Sequence, residues 1–128
     1  MDKELHDKGL AVRKAVLGAE HVERSLKTAD DFSRPFQELL TEYCWGAVWT
    51  REGLPRKSRS ILNLGMLSAL GRSHELKLHI RGALNNGLTR DEIREVFMQV
   101  AIYCGVPAGM DSFRAAREAL AAIDQQTA

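Results

Sequence analysis

The sequence predicts an all-α fold, a single-domain bundle of about six helices, and three observations point to it. Apolar residues recur at three- and four-residue spacings in every periodic segment. No segment shows the strict alternation of a half-buried strand. Capping residues and glycines punctuate the chain at helix-length intervals. The first helix is expected over about residues 4–26, with Leu5, Val12, Val16 and Leu26 on its apolar side and Gly9 and Gly18 weakening it. Residues 1–30 read as a helical arm and residues 33–123 as the core of one domain spanning 1–128. A second helix is expected from Ser33 to about Trp49, opened by Asp30, Asp31 and an early Pro35. Gly53 and Pro55 then make a turn.

The third helix, from about Pro55 to Leu70, contains ILNLGMLSALG and is apolar nearly all round, which predicts a central buried helix. Ser73 is the expected cap of the fourth, whose Leu76, Ile80, Ala83 and Leu84 form a core stripe; Asn86-Gly87 stops it. Thr89-Arg90-Asp91-Glu92 is a capping box that opens a fifth helix through Val96, Phe97, Val100 and Ala101 to about Tyr103. Gly105 and Pro107 are expected to break the chain before a last helix over about Ala108–Ile123.

Composition narrows the function classes. With 45% apolar and 27% charged residues the chain is ordinary globular material. Eighteen basic against seventeen acidic residues, with no long basic run, give no reason to expect nucleic acid. No apolar stretch suits a signal peptide or a membrane span, so a cytoplasmic protein is the expectation. Cys44 and Cys104 form neither a disulfide framework nor a zinc pattern and are expected to be buried thiols. No His or acid cluster has metal-ligand spacing, and no GxGxxG, GxxxxGK or GxSxG occurs; neither metal nor cofactor is expected.

Two groups of residues carry candidate chemistry. On the fourth helix His79 falls about 60° from the Leu76 stripe, with Glu75 four residues before it. That carboxylate would hold one imidazole nitrogen and favour the protonated ring, as a general acid requires. The same pair also suits a plain structural role, Glu75 complementing the helix dipole and His79 edging the core. On the second helix Glu42, Trp45 and Trp49 share one stripe, which fits the wall of a small flat ligand or a subunit contact. Arg51, Arg56 and Arg59 cluster near the turn, and any one would meet a carboxylate in a bidentate pair.

Residues 42–109, and above all EYCWGAVWTR, HIRGALNNGLTRDEIREV and YCGVPAG, resemble the γ-carboxymuconolactone decarboxylases of the protocatechuate branch of the β-ketoadipate pathway. The resemblance implies an alkylhydroperoxidase (AhpD)-like helical fold, a ring-like homo-oligomer, commonly a hexamer built as a trimer of dimers, and a carboxy-lyase acting on a small dicarboxylate lactone. Thiol peroxidases of the same fold carry CxxCxxxH, with a glutamate twelve residues before the first cysteine. Those positions are Arg72, Glu75 and His79 here, with Ser60 upstream, so the thiol chemistry is missing. For a decarboxylase the implied roles are His79 as general acid or donor to the lactone oxygen and Glu75 as its orienting group. One of Arg72, Arg51 or Arg59 would clamp the acetate arm. Trp45 and Trp49 would exclude water, and Glu42 would hold an arginine or help in proton transfer. A related decarboxylase or tautomerase, and a non-catalytic helical oligomer, are the alternatives.

Overall fold

The computed structural model describes residues 1–127, and every regular element among them is helical. The chain forms two compact units, Met1–Pro55 and Arg56–Ala128. The expected arm of residues 1–30 is thus part of a first unit that runs on to Pro55.

In that unit the expected first helix is two: α1 (Lys3–Leu17) and α2 (Ala19–Lys27). Gly18 separates them at φ +95°, a conformation that glycine adopts without a Cβ penalty. Asp2 caps α1 by accepting from the Leu5 N–H at 3.1 Å. The expected second helix is also divided, into α3 (Arg34–Leu40) and a π-helical segment, Thr41–Val48. The Trp49 N–H donates to the Cys44 carbonyl five residues back, at 3.1 Å, which is the wide-turn pattern. α1 packs on this segment through glycine. A Cβ on Gly9 would lie 2.6 Å from the Gly46 nitrogen, so the two backbones approach where no side chain fits. Beside this crossing Arg13, only 5% exposed, donates to Thr41 Oγ1 at 3.1 Å and to Gln37 Oε1 at 3.0 Å.

The second unit contains α4 (Arg56–Leu70), α5 (Ser73–Asn85), α6 (Arg90–Cys104) and α7 (Val106–Thr127). Leu64, Leu76, Ile80, Ile93, Phe97 and Ala115 lie at the centre of its core, and Phe113 meets Phe97 edge-on at 6.0 Å. The α5 stripe is buried as expected, with Leu84 half-buried at its edge. The capping box of α6 closes in both directions: Thr89 Oγ1 accepts from Glu92 N–H at 3.0 Å, and Glu92 Oε1 accepts from Thr89 N–H at 2.9 Å.

Four expectations are corrected here. α4 is not buried all round: Ser60, Leu64 and Ser68 face inward, while Ile61, Leu62, Met66 and Leu70 are 40–66% exposed. Apolar composition allowed two buried faces, but the unit supplies cover for one. Ser73 is not the cap of α5; it is the first helical residue, Arg72 stands at the cap position, and no side-chain cap bond forms there. α7 begins at Val106, because Pro107 falls in its first turn, where the missing N–H costs nothing; Gly105 at φ +103° makes the break alone. Finally, Cys104 is exposed at the end of α6 and Cys44 is half-buried, so the two are not both core thiols. No described helix is long and apolar enough to cross a membrane.

Candidate active site

α4 and α5 run antiparallel over a short turn, and polar residues meet at their junction. Near the start of α4 the fully buried Ser60 accepts at Oγ from the amide nitrogen of Asn86, which closes α5, at 2.8 Å. One turn on, Asn63 reaches α5: its amide nitrogen lies 3.4 Å from Nδ1 of His79. Their neighbours in sequence, Leu64 and Ile80, have no exposed surface and belong to the core of this unit. His79 is therefore a rim residue, apolar on one side and polar on the other, as its helical angle predicts.

Burial decides its charge. Desolvation lowers the His79 pKa from 6.5 to about 4, and the nearby Glu75 carboxylate, which favours the cation, offsets only part of this. The ring is neutral at neutral pH. Glu75 favours the protonated ring as expected, but it is exposed and its charge is screened by solvent, so the water lost by the ring outweighs it.

The arginines separate. Arg72 is exposed and lines a cavity of about 300 Å³ with Ser68, Ser73, Lys77, Arg114 and Glu118; Glu75 and His79 do not line it. Lys77 pairs there with Glu118. Arg59 is half-buried on α4 and stands one turn before Asn63, hence on the face of α4 that carries the His79 contact. The sequence grouped Arg72 with His79 by number along one helix; in the structure Arg72 lines a separate cavity, and Arg59 shares the face of α4 that carries Asn63.

In the first unit Trp45 and Trp49 are buried and stacked, their ring centroids 4.9 Å apart at 25°. Glu42 does not share their surroundings, because its carboxylate accepts from the Asp2 backbone N–H at 3.1 Å. The stripe predicted from a 3.6-residue period is redistributed by the wider π-helical turn. Arg51 is exposed in the turn that follows. Cys44 lies beside Arg13, yet burial pushes its thiol above the usual range, more than the guanidinium charge lowers it. With no cysteine at 72 or 75, the described residues offer no activated thiol pair.

Two residues escaped the sequence reading. Asn63 gave no signal beyond its place one turn after Arg59, and its partner is known only once α4 and α5 are paired. Arg13 lies four residues after Gly9, on the side of α1 that packs, a placement known only once the segment Thr41–Val48 is seen against α1. Among the described residues no group of three or more His, Cys, Asp or Glu side chains is placed to hold a metal.

A helical protein with a neutral imidazole at the rim of its core and no thiol pair sits on the acid-base side of this fold's chemistry rather than the redox side. The chain belongs to the carboxymuconolactone decarboxylase family, whose family model matches residues 34–118. It is 50% identical over 112 residues to a nitrosuccinic acid decarboxylase of Metarhizium robertsii, covering 88% of this chain and 78% of that protein. It is 43% identical over 117 residues to a 4-carboxymuconolactone decarboxylase of Acinetobacter baylyi, covering 91% and 87%. A 4-carboxymuconolactone decarboxylase of Pseudomonas putida matches at 44% over 45 residues, 35% of this chain and 94% of that one.

Proposed function

We propose that this protein is a carboxy-lyase that decarboxylates 4-carboxymuconolactone to β-ketoadipate enol-lactone in the breakdown of protocatechuate. The observation that carries this reading is its 43% identity, over nine-tenths of the chain, to a relative of that name. The substrate carries a carboxylate and an acetate arm on the γ carbon of an unsaturated lactone. When CO2 leaves, the electron pair passes through the double bond to the lactone carbonyl, and a proton added at carbon completes the product. The substrate is its own electron sink, so the chemistry needs no cofactor.

A neutral imidazole suits the second of the two roles open to His79. It donates a hydrogen bond to the lactone oxygen as charge grows there, as a neutral histidine does in triosephosphate isomerase. Glu75 adds a negative charge that stabilises any positive charge the ring gains. Arg59 is the clamp for the acetate carboxylate, favoured over Arg72 by its position on α4 and over Arg51 by its partial burial. The stacked indoles of Trp45 and Trp49, expected to exclude water, are a buried apolar surface of the first unit.

A second substrate is favoured by the 50% identity to the nitrosuccinic acid decarboxylase. The two acids share a core: each is a succinate whose second carbon bears an electron acceptor, a nitro group in one and a conjugated lactone in the other. Loss of the carboxylate on that carbon leaves a nitronate or a furan-like enolate. Proton NMR of the purified protein with each acid separates the readings. Enol-lactone formation with little turnover of nitrosuccinate supports the first, the reverse supports the second, and failure of both removes the decarboxylase reading.

We further propose a cytoplasmic, ring-like homo-oligomer, a hexamer built as a trimer of dimers. Support comes from the open apolar side of α4 and α6, where Ile61, Leu62, Met66, Val96 and Tyr103 line a groove of about 840 Å³. Monomeric proteins rarely leave so much contiguous apolar surface in water.

A further inference from the structure

We infer that Asn63 is a positioning residue that fixes the tautomer of His79, so that Nε2 carries the ring proton. An imidazole with one proton has one donor nitrogen and one acceptor nitrogen, and the hydrogen bond made by one decides the state of the other. The group that meets Nδ1 is the amide nitrogen of Asn63, which only donates. Nδ1 must then accept, and the proton resides on Nε2.

The contact is built into the frame and does not depend on a mobile surface chain. Asn63 lies between the buried Ser60 and Leu64 on α4; His79 precedes the fully buried Ile80 on α5. The Ser60 bond to Asn86 holds the two helices in register one turn away. Burial keeps the ring neutral, which is the only state in which Nδ1 is an acceptor. Glu75 acts on the ring through its charge, and Asn63 adds the hydrogen bond at Nδ1 that fixes its tautomer. For catalysis the inference rests on the proposed decarboxylase reading: a ring with its proton on Nε2 presents a fixed donor to the lactone or nitro oxygen.

The test is long-range proton–nitrogen correlation NMR on protein labelled with ¹⁵N-histidine, the His79 signals being those lost in His79→Gln. At pH 7 the intact protein should show an unprotonated Nδ1 and a protonated Nε2. Asn63→Asp, nearly isosteric, replaces the donor by an acceptor and should move the proton to Nδ1. Turnover should fall about a hundredfold while KM changes little, because donor geometry and not substrate binding is lost. A protonated Nδ1 in the intact protein overturns the inference, as does an unchanged tautomer in Asn63→Asp. A switched tautomer with unchanged kcat removes the positioning role. The NMR result reads the free protein, so it decides the tautomer even if neither acid is a substrate.

Discussion

His79 shows how one residue's surroundings overrule its neighbour in sequence. Its folded pKa is about 4 against 6.5 for the free side chain, so between those values the unfolded chain binds more protons than the folded one. Stability is therefore full above about pH 6.5 and declines as pH falls towards 4, by roughly 3 kcal/mol as a ceiling. Denaturant titrations at several pH values should show this loss in the intact protein and a flatter profile in His79→Leu. In catalysis, His79→Ala should lower turnover about a hundredfold or more, measured by lactone consumption. Arg59→Lys should raise KM by losing the bidentate fork, whereas Arg72→Lys should leave KM unchanged; the opposite pattern would return the clamp to Arg72. At this scale the sequence showed which residues could do chemistry. It did not show their charge state, since desolvation depends on what α4 places over the ring.

At the scale of elements, the clearest departure is the π-helical segment Thr41–Val48. Nothing in TEYCWGAV announces an extra residue per turn; the α-helical period accounts equally well for its apolar positions. The same segment is where α1 crosses, at Gly9 and Gly46, with backbone against backbone. A Cβ at either position meets main-chain atoms, which cannot yield as a flexible side chain would. Gly46→Ala should accordingly destabilise the protein by about 1–3 kcal/mol or more, seen as a lower denaturation midpoint. By contrast, Gly53→Ala should be nearly silent, because its Cβ would meet nothing. α6 marks the other extreme. Its capping box was legible from four consecutive residues, since the bonds that make it are local.

For the whole molecule the open question is what covers the apolar sides of α4 and α6. Ile102 and Tyr103 are about four-fifths exposed, at 79% and 80%. Self-association is the expected outcome, and sedimentation velocity should find a species several times the 14.3 kDa chain. Ile102→Asp with Tyr103→Asp should shift it towards smaller species; a monomer in the intact protein would refute the proposed ring. The sequence by itself determined the all-helical class, most helix ends in Arg56–Ala128 and the short set of acid, imidazole and arginine side chains, because periodicity and capping act over a few residues. Only the tertiary structure decided that Thr41–Val48 is π-helical, that Glu42 turns to Asp2 and not to the indoles, and that Asn63 meets a neutral His79. Those outcomes depend on burial and on contacts between residues far apart in the chain, and no local pattern encodes them.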